Sequence, residues 1–377
     1  MKQTARTIST YAADVSGVCS ALFELGGMTV MHDASGCNST YNTHDEPRWY
    51  DTDSMVYISG LSEMEAIMGD DEKLISDIVS AAEELRPNFI AIAGSPIPMM
   101  VGTDFPAVAA IIEKRTGIPA FGFATNGMHS YLSGAGMAFR EFSRRITQKG
   151  LSKVKNGVNI LGATPLDFST NGSVQDIRCW LLENGFSVVS SWAMGSSLDE
   201  LTQAGRAEVN LVVSSSGLAA ARDLERKFGI PFVVGVPIGG FQNTLARDLH
   251  FAQAEKTNIA SCAQRTPGIG TRIAIIGESV FSESLASALP GDIRVLCPLE
   301  AEPWLLTAND RIAEDEDDLI PLLQDAHMII ADPLYKPICP PHCKFITLPH
   351  EGFSGRIFRR DIPNLIANFD YFSGVNL

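Results

Sequence analysis

Short apolar runs recur along this chain, each followed by a turn rich in small residues and then by a stretch with helical spacing. In the first third the β-rich runs are Met28 to His32, Met55 to Ile58, Asn88 to Ala93 and Ile118 to Phe123. Helical spacing covers Asp71 to Leu85, Asp104 to Thr116 and Met128 to Arg145. A second set runs from Val158 to Gly162, through a helix over Val174 to Asn184, to Phe186 to Val189. It continues as Val209 to Val213, a helix over Leu218 to Phe228, and Pro231 to Val234. A third set comprises Arg272 to Gly277, Ile293 to Leu296, His327 to Ala331 and Phe345 to Leu348. Alternation of this kind predicts βαβ units and parallel sheets. Three such sets predict an α/β chain of three Rossmann-like domains, 1–152, 153–266 and 267–377, with breaks near Gly150 to Lys155 and Cys262 to Gly270.

Composition narrows the class. At 377 residues and 45% hydrophobic content the chain is too long for one typical domain and apolar enough for several cores. No stretch approaches the roughly 20 apolar residues of a membrane span. Met1 to Tyr11 is polar, without the apolar core of a secretory signal. Seven scattered cysteines point to reduced thiols rather than a disulfide framework. The expectation is a cytoplasmic protein with no membrane partner. A net charge of −15 argues against nucleic acid as a partner. Part of that charge is local, in Ala313 to Asp318, which reads as a solvated face or a helix start. The chain has no Gly-x-x-x-x-Gly-Lys-Ser/Thr loop, so ATP hydrolysis is not expected of it.

Ligands of open α/β sheets gather at the carboxyl ends of the strands. In the first domain those ends carry Asp33 to Cys37, Ser59-Gly60, Gly94-Ser95-Pro96 and Ala124 to Gly127. Cys37 therefore belongs on the same crest as Ser95 and Gly127. Cys19 precedes the first strand and must fold over the crest to join them. It reads as a helix-start thiol, where unpaired N–H groups favour the thiolate. The pair suits iron-sulfur ligation; the alternative is two buried, inert thiols. Cys339, His342 and Cys343 are a second cluster of metal-ligand types. Cys343 comes just before a strand, at the amino edge of its sheet, which favours a structural loop. Cys297 ends a strand and is placed toward the cleft, whereas Cys179 and Cys262 read as packing residues. The acidic segment His44 to Asp53 reads as an exposed loop, or else as one that protonates a substrate or meets a partner.

Several of these runs together resemble the nitrogenase component 1 family. They are Gly36-Cys37, the stretch from Gly94-Ser95-Pro96 through Gly102-Thr103-Asp104, and Asn126-Gly127-x-x-x-Tyr131-x-x-Gly134. The likeness continues through Leu181 to Phe186, Val209 to Val212 and Lys227 to Phe232, and closes with His350-Glu351-Gly352-Phe353-Ser354-Gly355-Arg356 and the residues to Asp361. It implies parallel-sheet domains around a central cleft and an oxidoreductase component served by a separate ATP-dependent iron protein.

It also implies that Cys19 and Cys37 ligate a [4Fe-4S] cluster. Two thiols per chain fall short of four, so the cluster is expected at a subunit interface, in a homodimer or a heteromer with a related subunit. Ser95 stands where the family commonly has a third cysteine; it reads as an oxygen ligand or as the cap of the turn before Pro96. The strand ending at Val213 runs into Ser214 to Gly217 without a cysteine, so no iron-molybdenum cofactor of the nitrogenase type is expected. His350 matches the family's histidine region. It reads as a substrate ligand or proton donor facing the Ser214 to Gly217 turn, or as a residue that holds its own turn. The family reduces dinitrogen, tetrapyrroles or organosulfur compounds, and the chain does not choose among them. The alternatives to a reductase are a metallocofactor assembly scaffold and a small-molecule or metallocofactor binding protein without catalysis.

Overall fold

The computed structural model describes residues 12–34, 36, 46–266 and 268–372. Its strands form three sheets in which every pairing is parallel. The first contains β1 (Met28–His32), β2 (Met55–Ile58), β3 (Ile90–Gly94) and β4 (Ala120–Phe123), in the order β2-β1-β3-β4. The second contains β5 (Gly157–Ala163), β6 (Ser187–Ala193), β7 (Val209–Val212) and β8 (Phe232–Val234), in the order β6-β5-β7-β8. The third contains β9 (Arg272–Ile276), β10 (Asp292–Cys297), β11 (Arg311–Ile312), β12 (Met328–Ala331) and β13 (Lys344–Thr347), in the order β11-β10-β9-β12-β13.

These strands are apolar runs because a parallel sheet is covered on both faces. Every residue of β1, β3, β5, β7 and β12 is buried. In each sheet the chain first adds a strand to one side and then crosses to the other. The strand order therefore reverses between β1 and β3, between β5 and β7, and between β9 and β12. At such a point the two outgoing connections diverge and leave a crevice beyond the strand ends.

The helix Asp14–Leu22 packs on the helix Tyr131–Arg145, and the approach is close enough to dictate a residue type. A Cβ on Gly134 would lie 1.8 Å from the backbone oxygen of Asp14, so only glycine allows the contact. Two helices carry little sequence signal and lie outside the pattern-based expectation. Ser279–Ala288 is buried on most of its surface and shows no polar stripe, while Phe241–Glu255 mixes apolar and polar residues with weak contrast. Ala313 to Asp318 is a helix start, with Asp315 accepting from the Asp318 N–H at 3.0 Å ahead of the helix Glu316–Leu323. Among the described residues no helix is long and apolar enough to cross a membrane.

Candidate functional site

Two places collect the chemistry. The first is the crest of the first sheet, where β1 runs into His32-Asp33 and β3 into Gly94-Ser95 at the reversal of strand order. The helix Asp14–Leu22 folds back to this crest. The Asp14 carboxylate accepts from the N–H groups of Asn126 at 3.0 Å and Gly127 at 2.8 Å, on the turn that follows β4. Burial pushes this carboxyl up, against the pull of the backbone donors around it.

The helix starts at Asp14, which corrects the reading of Cys19 as a helix-start thiol. Cys19 lies on the inner turns, past the unpaired N–H groups that would favour a thiolate. It is fully buried, and its thiol makes no hydrogen bond among the described residues. Burial, with the Glu46 charge added, pushes its thiol far above the ordinary range. A thiol so placed ionises only when a positive charge, such as a bound metal, compensates it. Cys37 lies outside the described residues. Ser95 opens the helix Pro96–Val101 without capping it, and its hydroxyl is buried with no hydrogen-bond partner among the described residues.

The acidic loop that leads into β2 is not simply exposed. Glu46 is buried, its carboxylate 2.6 Å from the Arg48 guanidinium and accepting from the Ser20 hydroxyl at 2.6 Å. Arg48 also reaches Glu24 at 2.9 Å and the Ser20 carbonyl at 2.8 Å, and it lies over the Phe23 ring. Burial alone would raise the Glu46 carboxyl; the Arg48 charge and hydrogen bonds outweigh it and hold the group below its ordinary value. Asp51 and Asp53 are exposed, whereas His44 and Asp45 fall outside the described residues.

The second place is the junction of the three sheets' carboxyl ends. From the first unit, the Tyr131 hydroxyl donates to Asp167 Oδ1 at 2.5 Å. Asp167 sits in the short helix Pro165–Phe168 after β5, and its Oδ2 accepts from the Thr164 hydroxyl at 3.0 Å. From the third unit, Glu278 follows β9 and caps the helix Ser279–Ala288, accepting from the Phe281 N–H at 2.8 Å. Its other oxygen accepts from the Ser215 N–H at 3.1 Å, which ties the Ser214 to Gly217 turn to the same place. Burial and the neighbouring Asp167 charge push the Glu278 carboxyl up.

His350 enters just beyond β13. Its backbone N–H donates to Asp332 at 2.8 Å, and its Nδ1 accepts from the Gly352 N–H at 3.1 Å. That acceptor role assigns the ring proton to Nε2 in the neutral imidazole. Nε2 is buried without a hydrogen-bond partner, 3.6 Å from Asp167 Oδ1. Asp167, Glu278 and His350 line one cavity of about 30 Å³. That is room for one or two waters.

The backbone is strained here as well. Ala193, ending β6, has φ 103°, and Ser169, just after the Asp167 helix, has φ 52°. Non-glycine residues in such regions cost about 1–3 kcal/mol each and persist where the surroundings over-determine them.

Asp167 and Glu278 do not stand out in the sequence, and Tyr131 does so only within a motif. The available signal was an acidic residue directly after a buried strand, at a reversal of strand order. The remaining cysteines behave structurally. Cys339 donates to the Tyr335 carbonyl at 3.2 Å and Cys343 to that of Ala326 at 2.9 Å, and burial pushes Cys339 up to about 12. Among the described residues no three His, Cys, Asp or Glu side chains are arranged to hold a metal ion. Cys297 is buried at the end of β10, near enough to Glu278 for that charge to raise its thiol further. Cys262 packs in the core, but Cys179 is exposed rather than packed.

A family model described as nitrogenase component 1 type oxidoreductase matches residues 16–247. Among curated proteins, the chain is 27% identical over 183 residues to the nitrogenase iron-molybdenum cofactor biosynthesis protein NifE of Clostridium pasteurianum, covering 47% of this chain and 38% of that protein. It is 36% identical over 104 residues to a light-independent protochlorophyllide reductase polypeptide of Prosthecochloris aestuarii, covering 27% and 19%. It is 26% identical over 191 residues to the nitrogenase molybdenum-iron protein alpha chain of Azospirillum brasilense, covering 48% and 39%. The matches thus span about two fifths or less of these relatives' lengths. Two solved structures described as nitrogenase Cp1, at pH 5 and at pH 6.5, share the fold. Their TM-scores are 0.60 and 0.61 at 19% and 16% identity, covering 85% and 90% of this chain and 72% and 83% of theirs.

Proposed function

The chain belongs to the nitrogenase component 1 type oxidoreductases, and from that premise we propose that it is a reductase component that takes low-potential electrons from a separate ATP-dependent iron protein. Cys19 and Cys37 would hold a [4Fe-4S] cluster with the same pair from a second subunit, either another copy or a related chain, in the cytoplasm. Ser95 is the candidate oxygen ligand. When bound, the cluster supplies one-electron transfer at low potential. The chain's own residues supply burial, orientation and hydrogen-bond donors. His350 presents Nε2–H to a substrate entering between the second and third sheets.

The observation that carries this reading is a recurrence: three of the groups assigned to iron or substrate are buried and make no hydrogen bond among the described residues. Among the described residues, the Ser95 hydroxyl and His350 Nε2 are two of the few buried polar side-chain atoms with no hydrogen-bond partner, and the Cys19 thiol is buried likewise. Orphaned polar groups cost about 1–3 kcal/mol each, so native proteins rarely keep them idle. Anaerobic reconstitution should load about four iron per dimer. A Cys19→Ala/Cys37→Ala variant that still binds the same iron would sink the cluster assignment.

A second reading is a metallocofactor assembly scaffold. Its support is the clostridial relative, whose name is that of a cofactor biosynthesis protein and whose match is among the longer ones. Turnover with an iron-protein partner separates the two: a reductase reduces substrate catalytically, whereas a scaffold releases its metal centre to an acceptor protein.

A further inference from the structure

The first sheet ends on β4, whose outer edge is guarded at Ala120 and open at Gly122. In the ladder with β3 the Ile90 N–H donates to the Pro119 carbonyl at 2.9 Å. Backbone groups alternate in direction along a strand, so Phe121 and Phe123 turn theirs to β3 while Ala120 and Gly122 turn theirs outward. Side chains serve Ala120: its N–H donates to Glu113 at 3.1 Å and its carbonyl accepts from Arg145 at 2.7 Å. Glu113 and Arg145 are themselves paired at 2.6 Å. Together they offer one acceptor and one donor, as the backbone of a neighbouring strand would, and so blunt the edge there. The N–H and carbonyl of Gly122, the next outward pair, have no hydrogen-bond partner among the described residues.

That edge is the floor of a groove of about 800 Å³ between the helices Phe105–Thr116 and Tyr131–Arg145. Ligand sites run to about 300–1,000 Å³. Pro106, Ala109, Ala110 and Met137 make parts of its walls apolar. Of its charged side chains, Glu113 is paired with Arg145 and Glu141 with Arg144. Lys114 and Arg140, one on each wall, are exposed, and their side chains have no ion pair or hydrogen bond among the described residues.

We propose that this groove takes an extended, acidic segment of a partner protein, which adds a strand beside β4, exchanges backbone hydrogen bonds with Gly122 and sets carboxylates against Lys114 and Arg140. The open donor and acceptor of Gly122 select a peptide backbone, as in other cases of strand addition. Successive side chains of a strand point to opposite faces, so two adjacent acids reach the two walls at once. The unpaired cations select those acids. The same charges speak against this chain as its own occupant. Residues 1–11 carry Lys2 and Arg6 and no acid, and the acidic run Glu314 to Asp318 is already folded at the start of the helix Glu316–Leu323.

The test uses the full chain without iron and a fluorescein-labelled hexapeptide, Val-Thr-Asp-Asp-Val-Thr, followed by fluorescence anisotropy and by hydrogen exchange. The peptide should bind, more weakly as salt is raised, and should slow exchange of the Gly122 amide. Its counterpart with lysine for aspartate should not bind, nor should the acidic peptide with N-methylated backbone amides. Lys114→Glu/Arg140→Glu should lose binding of the acidic peptide while circular dichroism shows the fold unchanged. Gly122 itself is left alone, since a Cβ there would lie 2.0 Å from the Phe105 carbonyl oxygen. No binding at about 1 mM peptide, equal binding of either control peptide, or undiminished binding by the double variant would overturn the proposal. A Gly122 amide already protected without peptide would show that a second copy or another part of this chain covers the edge, and would overturn it too. None of these results depends on iron binding or turnover, so the cluster assignment stands or falls separately.

Discussion

Arg48 shows how one side chain organises its surroundings. It neutralises Glu46 in a buried pocket and also holds Glu24 and two backbone carbonyls, Ser20 and Ala193, from separate parts of the chain. Removing one partner of a buried pair leaves the other charge uncompensated, at a cost of about 3–5 kcal/mol. Arg48→Met should therefore lower the unfolding free energy by about that amount, and adding Glu46→Gln should recover much of it. The pair also sets a pH dependence. Because Glu46 is held below its ordinary value in the folded chain, its contribution is present above the unfolded carboxylate range and is lost as pH falls through the folded value. Urea unfolding at pH 7 and in mild acid should show wild type losing stability on acidification, with the double variant losing less.

Among the elements, the contact between the helices Asp14–Leu22 and Tyr131–Arg145 is the one on which both sites depend. One helix carries Cys19 and docks Asp14 on the crest; the other begins at Tyr131, which anchors Asp167. Gly134→Ala would force these helices apart, since the added carbon would meet a backbone oxygen at 1.8 Å and not a yielding side chain. Overpacking of this kind costs about 1–3 kcal/mol, and backbone contacts sit at the upper end. In thermal unfolding Gly134→Ala should melt well below wild type, whereas Gly150→Ala, whose added carbon meets nothing within 4 Å, should be affected only by its own positive φ.

For the whole molecule, the proposed ligand shortfall makes assembly part of function. The helices Glu63–Met68 and Pro96–Val101 lie together near the end of β3 and leave Met64, Ile67, Met68 and Met100 68 to 79% exposed. If the proposed cluster is shared between subunits, an apolar face of that kind beside the crest would meet the second one. Met68→Glu/Met100→Glu should yield monomers in anaerobic light scattering and should lose the iron with the dimer. A cluster-loaded monomer of wild-type protein would rule out the interface assignment.

How much was legible follows from the same physics. The strands Met28–His32 and Met55–Ile58 and the helix Leu218–Phe228 could be read residue by residue, because buried parallel strands and amphipathic helices are local patterns. The family likeness was legible too, carried by turns whose backbone demands particular residues. Cys19 was misplaced within its helix, because the true start is set by Asp14 meeting Asn126 and Gly127, a contact across 112 and 113 positions of sequence. The Tyr131, Asp167, Glu278 and His350 junction was legible only in part, for the same reason. Local sequence determines which segments become strands and helices, since that is decided by neighbours along the chain. Which acids share a cavity and which hydroxyls are left unpartnered were decided only by the packing of three sheets. Desolvation and charge coupling act through space and take no account of sequence separation.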